Sequence, residues 1–508
     1  MTSGSTGKVW LVGAGPGDPG LLTLRGARAI AQCEVLVYDY LASAAIVAMA
    51  PPACEHIYVG KKAGQHTLSQ DEITALIVRL GAEGRKVVRL KGGDVFVFAR
   101  GGEEATALHQ AGVSFEIVPG ITSAIAAPAY AGIPVTHRDH NTSFTIATGH
   151  EDPSKGHSSL DYAKLANPKQ TLIFLMAMGG LAGIVDKLRA NGMPDDLPVG
   201  IVREGTKPTQ ETLVATLGTI VAEVERTKFA APAVVVIGNV VSERDSIRWF
   251  DTNPLFGKRV LVTRARDDAA EFAARLWELG AEPVVMPTIA IGPPDDPAGA
   301  ARAVTALDSY AWAVFTSRHG VDACFRFIAA GGGDARRFGG CRVAAIGPQT
   351  AERLQTHGIR ADFIPGRAVA EEVAAGLLER TRTAERVLLV GAQVTREILA
   401  DTLRAQGRVV DVVSAYKTSA VADAAIARAA EETDVWTFTS ASTVEAFVQN
   451  VPGAGDLAPG KIVACIGPVT ARAASELGVP PDVVASDYGI DGLVAALETA
   501  LKEHAAAG

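Results

Sequence analysis

Three short runs in the first 130 residues combine glycines with side chains suited to a polar, nucleoside-bearing ligand. Gly13-Ala14-Gly15-Pro16-Gly17-Asp18-Pro19 follows an apolar run at 9–12. Its glycines on alternate residues bring backbone N–H groups close to a ligand. Arg89-Leu90-Lys91-Gly92-Gly93-Asp94 repeats the arrangement at the end of a second apolar run. Asp94 there can accept from ribose hydroxyls or an amino group, or cap a tight turn. Arg100, Glu103 and Glu104 follow beside that turn, placing a guanidinium and carboxylates next to it. Pro119-Gly120-Ile121-Thr122-Ser123 is the third run, with Thr122 able to meet a ligand or to cap a helix. A nicotinamide dinucleotide fits poorly: Gly-x-Gly-x-x-Gly needs glycine where Asp18 stands, and Pro16 removes a donor from a phosphate cradle.

These turns need strands to aim them. Runs at 9–12, 35–38, 57–59, 87–90 and 115–118 read as buried parallel strands. The capping box Ser69-Gln70-Asp71-Glu72 starts a helix through Arg79. Turns at the carboxyl ends of strands in one sheet converge on one crevice. A second series, 144–148, 171–176, 199–202 and 233–237, follows the turn-rich stretch 132–141. Residues 8–241 therefore read as two α/β lobes, about 8–135 and 142–241, with a cleft between them. Residues 242–256 carry charges, Asn253-Pro254 and no periodicity, and read as a linker.

The second half, 257–508, opens on the strand Arg259-Val260-Leu261-Val262-Thr263 and contains a repeat. Val314-Phe315-Thr316-Ser317 recurs as Thr437-Phe438-Thr439-Ser440, and Ile346-Gly347-Pro348-Gln349-Thr350-Ala351 recurs as Ile466-Gly467-Pro468-Val469-Thr470-Ala471. A spacing of roughly 120 residues is far longer than a solenoid period and indicates two copies of one domain.

Bulk properties narrow the function. A chain of 508 residues holds roughly three or four domains. A net charge of −8 argues against a nucleic-acid partner. The five cysteines are scattered without a Cys-x-x-Cys pair, which disfavours disulfides and structural zinc and suits a reducing cytoplasm. The first eight residues lack a signal-peptide core, and no apolar run approaches the ~18 residues that span a bilayer. The expectation is a soluble cytoplasmic protein with no metal and no membrane partner.

Over residues 8–241 the chain resembles the uroporphyrinogen-III C-methyltransferases of the tetrapyrrole methylase family, which use S-adenosylmethionine. The matching runs are VGAGPGDPGLL at 12–22, VGKKAG at 59–64, residues 88–104, VPGITSAIAAPAYAGIPVTHR at 118–138 and Thr148-Gly149-His150. The resemblance implies two α/β lobes, the cofactor in the cleft between them, and a homodimer through this half. It implies cofactor contacts at Pro16, Gly92, Gly93, Asp94, Val97, Thr122, Ser123, Met176 and Gly205. It makes Asp39 a proton acceptor and Lys61 a proton donor, against the plainer readings of a strand-end cap and a solvated lysine. Arg100, Glu103 and Arg138 match positions that face the tetrapyrrole, Arg100 counting among the catalytic set. The octacarboxylate substrate suits arginine clamps at Arg100 and Arg138. An electron-rich pyrrole needs in-line positioning against a sulfonium methyl and then a proton acceptor. Val95 and Ala99 depart from the proline and glycine usual in that family's loop.

Residues 257–503 resemble the uroporphyrinogen-III synthases through the paired Phe-Thr-Ser runs, the paired Ile-Gly-Pro-x-Thr-Ala turns and Val412-Val413-Ser414-Ala415-Tyr416-Lys417-Thr418. That resemblance implies two α/β domains joined by a two-stranded connection, domain one as 257–290 plus 418–508 and domain two as 291–417. It implies cyclisation of hydroxymethylbilane with inversion of the last ring and no metal or redox cofactor. Tyr416 would assist hydroxyl departure, or else be an edge-strand aromatic. Thr350 and Thr470 would hold substrate carboxylates at helix N-termini, or cap those helices, with Ser317 and Ser440 beside them. Together the resemblances imply a bifunctional enzyme whose rear half makes uroporphyrinogen III and whose front half methylates it twice, through precorrin-1 to precorrin-2, for sirohaem or corrinoid synthesis. The alternatives are a methylase with a non-catalytic tetrapyrrole-binding rear half, and a methylase of a later corrin intermediate.

Overall fold

Apolar runs of alternating packing direction build the first sheet of the computed structural model, which describes residues 7–60, 68–150, 160–367, 369–393 and 398–507. Its strands are β1 (Lys8–Gly13), β2 (Val35–Tyr38), β3 (Glu55–Tyr58), β4 (Lys86–Lys91) and β5 (Ser114–Val118). They lie in the order β3-β2-β4-β1-β5, every pair parallel. Val9, Leu11, Val35, Val37 and Val87 pack into one core. Trp10, Val12, Leu36, Val88 and Leu90 pack into another, so both faces of the sheet are covered. The helix Gln70–Ala82 starts at the expected capping box, with Ser69 Oγ accepting from Glu72 N–H and Glu72 accepting from Ser69 N–H.

The second lobe holds β6 (Phe144–Thr148), β7 (Thr171–Leu175), β8 (Pro198–Arg203), β9 (Glu211–Thr216) and β10 (Ala233–Ile237), ordered β6-β7-β10-β8-β9. Only β6 and β7 pair in parallel; the others are antiparallel. Strand β9 lies outside the expected series. It is a half-exposed edge strand whose Glu211, Thr212 and Thr216 break the apolar pattern that reveals buried strands.

Residues 242–256 form short helical turns packed on the end of the helix Ser123–Tyr130. Phe250 is buried, Trp249 Nε1 donates to Ala129 O at 3.1 Å, and the Tyr130 ring meets Trp249 and Phe250 edge-on at 5.0 and 4.8 Å. His140 Nε2 and Glu243 Oε1, 2.7 Å apart, tie the turn between the lobes to the same segment.

The rear half holds two further sheets. Its strands are β11 (Arg259–Val262), β12 (Glu282–Val285), β13 (Ile289–Gly292), β14 (Trp312–Phe315), β15 (Arg342–Ala345), β16 (Arg386–Ala392), β17 (Val409–Ala420), β18 (Val435–Phe438), β19 (Ile462–Cys465) and β20 (Val483–Val484). One sheet runs β12-β11-β18-β19-β20 and the other β13-β17-β16-β14-β15. The chain passes from the first to the second at β13 and back at the end of β17, and these two strands pair antiparallel, Ile289 with Ala420 and Gly292 with Lys417. The repeat is structural: β14 with its helix Arg318–Ala330 and β18 with its helix Ala441–Asn450 follow the same path. The fold is α/β throughout.

The chain divides into two compact units, residues 1–260 with 273–283 and 498–508, and residues 261–272 with 284–497. Among the described residues no helix is long and apolar enough to cross a membrane.

Candidate functional site

Backbone packs on backbone where the three glycine turns of the first sheet meet. Gly15 N–H donates to Gly93 O at 3.1 Å and Gly93 N–H to Gly15 O at 2.7 Å. A Cβ on Gly120 would lie 2.2 Å from Gly93 O and 2.7 Å from the Gly13 carbonyl carbon, so no side chain fits there. Asp94 fastens the junction. Its Oδ1 accepts from Phe96 and Val97 N–H at 2.8 and 3.1 Å, and its Oδ2 from Gly120 N–H at 3.1 Å. Thr122 caps the helix Ser123–Tyr130, Oγ1 accepting from Ala124 N–H at 3.3 Å.

Asp18, the residue that spoils a dinucleotide fingerprint, has a structural task. Its carboxylate accepts from Gly20 N–H at 2.7 Å and from the Tyr130 hydroxyl at 2.6 Å, while its own N–H donates to Thr206 Oγ1 in the second lobe. Burial pushes its pKa up, against the pull of the Tyr130 hydrogen bond.

A cleft of about 670 Å³ opens between the lobes over this junction. Pro16, Gly92, Gly93, Asp94, Val97, Thr122, Ser123, Met176 and Gly205 all line it, and so do Asp39 and Arg100. Four residues on its wall, Phe98, Arg100, Met176 and Glu204, are non-glycines with positive φ, between 45° and 59°. Backbone strain of this kind persists where surrounding structure over-determines it, as at binding sites. Glu103 and Arg138 are not on the wall. Glu103 is drawn off by Arg100 Nε and Nη2 at 2.8 and 2.6 Å, which hold its carboxyl below the ordinary value, and Arg138 is exposed. Lys61 lies outside the described residues.

Beneath the cleft is a buried charge network. Glu104, with no exposed surface, accepts at Oε1 from Lys91 Nζ at 3.1 Å, Gln70 Nε2 at 3.0 Å and Arg89 Nε at 3.4 Å. Arg89 Nη2 reaches Asp39 Oδ2 at 3.1 Å, and Asp39 Oδ1 accepts from Leu41 N–H. Asp39 is therefore both a strand-end cap and a carboxylate oriented onto the wall. Burial, then the neighbouring Arg89 charge, lower the Lys91 pKa.

In the rear half, Tyr416 is buried with its hydroxyl 3.0 Å from Ser317 Oγ. Pairing of β16 with β17 slips by one residue here: Gly391 faces Ser414 and Ala392 faces Tyr416, leaving Ala415 as a bulge that re-aims the tyrosine. Burial raises the Tyr416 pKa, and the Ser317 hydrogen bond opposes that. His319 meets the Tyr416 ring edge-on at 5.5 Å, and Asp268 Oδ2 pairs with His319 Nε2 at 3.0 Å and Arg318 Nη2 at 2.7 Å. Thr350 and Thr470 are buried in the first turns of helices whose N-caps are Gly347 and Gly467, with no side-chain cap. Ser317 and Ser440 cap two other helices, Arg318–Ala330 and Ala441–Asn450, their Oγ atoms accepting from Gly320 and Thr443 N–H. Among the described residues no hydrogen bond joins Thr350, Thr470 or Ser440 to the Tyr416–Ser317 pair.

Residues 8–221 match the family model of the tetrapyrrole (corrin/porphyrin) methylases, and residues 270–495 match that of uroporphyrinogen-III synthase HemD. A Ruminiclostridium josui protein described as porphyrin biosynthesis protein HemD is 38% identical over 495 residues, covering 96% of this chain and 97% of its own. The chain belongs to this family, a tetrapyrrole methylase joined to a uroporphyrinogen-III synthase. The uroporphyrinogen-III C-methyltransferase of Bacillus subtilis is 39% identical over 352 residues, 69% of this chain and 72% of that protein. A solved structure of uroporphyrin-III C-methyl transferase from Thermus thermophilus, complexed with S-adenyl homocysteine, is 36% identical over 46% of this chain and 99% of its own, with a TM-score of 0.40. The protein is thus an enzyme of tetrapyrrole biosynthesis with a methylase half and a synthase half.

Sequence reading missed the methylase floor of Arg89, Lys91, Gln70 and Glu104. A signal was present: Arg89 and Lys91 are charges inside an apolar strand, where burial demands partners. In the synthase half it missed Asp268, Arg318 and His319, because Asp268 meets the others only through the fold.

Proposed function

We propose that the synthase half cyclises hydroxymethylbilane to uroporphyrinogen III with inversion of the last ring. The methylase half then uses S-adenosylmethionine to methylate that product twice, through precorrin-1 to precorrin-2, for sirohaem or corrinoid synthesis. The carrying observation is the single cleft lined by nine expected cofactor residues together with Asp39. A Methanosarcina barkeri relative named as an S-adenosyl-L-methionine-dependent uroporphyrinogen III methyltransferase, 50% identical over 243 residues, supports the choice of cofactor. The close-packed glycines favour it too, since they leave backbone rather than side chains at the turn junction.

S-adenosylmethionine supplies a methyl group on a sulfonium centre. Gly92, Gly93, Thr122 and Ser123 would hold it at the strand ends, with Pro16, Val97, Met176 and Gly205 around it. Asp39, steadied by Arg89, is placed to take the proton that the methylated ring releases. Arg100 clamps a substrate carboxylate once Glu103 is displaced from it. In the synthase half Tyr416, hydrogen-bonded to Ser317, assists departure of the hydroxyl, and Thr350 and Thr470 offer free hydroxyls at helix N-termini to substrate carboxylates. Domain limits of 8–241, 242–256 and 257–508 belong to this reading, as do a cytoplasmic location and a homodimer through the methylase half.

A coupled assay on the full chain tests it. Hydroxymethylbilane alone should give the type III isomer, and added S-adenosylmethionine should add two methyl groups by mass. Only the non-inverted isomer would leave the rear half as a binding module. Type III product without methylation would refute the methylase assignment.

A further inference from the structure

Arg264, just past β11, is 9% exposed, and among the described residues its guanidinium makes no hydrogen bond and no ion pair. Five N–H donors on a permanently charged group are costly to bury without an anion. The neighbouring carboxylate does not serve it, because Asp268 Oδ2 is already taken by Arg318 at 2.7 Å and His319 at 3.0 Å. Arg318 itself repels Arg264, and burial weighs against its charge. Asp268 and Glu271 attract the guanidinium, but among the described residues neither is hydrogen-bonded or ion-paired to it, so its donors are left for a ligand.

The same cluster borders the tyrosine. Asp268 acts electrostatically on Tyr416 as well as on Arg264, and His319 packs edge-on against the Tyr416 ring. An anion beside Arg264 would therefore lie close to the groups assigned to ring closure.

We propose that Arg264, with Arg318 beside it, is a carboxylate-binding group of the synthase site that receives an acetate or propionate arm of the linear tetrapyrrole. Asp268 is then a positioning residue: held by His319, it aims Arg318 without satisfying Arg264. The proposal rests on the synthase reading of the rear half.

The test uses the full chain with Arg264→Gln and Arg264→Lys. Arg264→Gln should raise KM for hydroxymethylbilane tenfold or more, with kcat changed less than threefold. Arg264→Lys should recover part of that loss. Without substrate, Arg264→Gln should lower the melting temperature only slightly, since the attraction of Asp268 and Glu271 is lost but no hydrogen bond or ion pair is. An unchanged KM overturns the proposal, and so does a large fall in melting temperature, which would reveal a bonded internal partner. Thermal stabilisation by uroporphyrin III, compared between the parent and Arg264→Gln, separates the two readings because the methylase contribution is common to both. A smaller stabilisation in the variant of a chain that fails to form the type III isomer would keep the carboxylate site and discard the synthase. An active synthase with equal KM would discard the site alone.

Discussion

At the floor of the methylase cleft Arg89 and Lys91 are buried against Glu104 and Asp39, whereas in the synthase half Arg264 is buried with no carboxylate bonded to it and Asp268 is spent on Arg318 and His319. Both arrangements put arginine where a polycarboxylate would come. They differ in what holds the charge before the ligand arrives. In the methylase the counter-ions are part of the fold, so removing one leaves a buried orphan. In the synthase the cation is attracted by Asp268 and Glu271 but bonded to neither, so its removal should cost the fold little and weaken binding.

The contrast breaks most visibly at Glu104. Glu104→Ala strands two buried cations and the Gln70 amide, and should cost about 3–5 kcal/mol in denaturant unfolding of the methylase half. A loss below 1 kcal/mol would mean that the floor is not internally compensated. Asp39→Asn tests whether the same network serves chemistry. It keeps the shape and should slow methyl transfer on the order of 10²-fold, measured on supplied uroporphyrinogen III, with ring closure unaffected.

The third test moves to the synthase cluster. Burial alone would raise the Asp268 pKa, but His319, Arg318 and Arg264 outweigh it and bring the carboxyl to about 2, from an ordinary 3.8. Its contribution of roughly 2 kcal/mol is thus fully present above about pH 4 and lost as pH falls through about 2. Asp268→Asn should lower stability at neutral pH by that roughly 2 kcal/mol and flatten the stability profile between about pH 4 and 2. The smallest effect is on stability alone. Ser440→Ala deletes a helix cap and should cost about 1 kcal/mol in denaturant unfolding.

How far these features were legible depends on how local their causes are. Strands β1, β2, β4 and β5, the Ser69 capping box and the glycine turns are written in short runs of sequence, and so could be read there. Strand β9 could not, because an edge strand needs no apolar face, and residues 242–256 gave no periodicity because single anchors such as Phe250 hold them. The threonines after Gly-Pro suggested caps from spacing alone, yet glycine takes the cap position there and those two helices have no side-chain cap. Asp268 and its partners come from different stretches of chain, as do Asp39 and Arg89, and only folding pairs them.

The extra residue at Ala415 makes the aim of Tyr416 a matter of counting rather than chemistry. Ala415 and Tyr416 are neighbours in sequence yet both pack into the core that holds Val413, where the alternation of a regular strand would send one of them to the other face. Deleting Ala415 would restore regular pairing with β16 and shift the phase of every side chain on one side of the deletion. Such a chain would keep its tyrosine, its serine and its charge cluster, and would be expected to lose ring closure through geometry alone. Substitution scans, which never change the count, are blind to this kind of dependence.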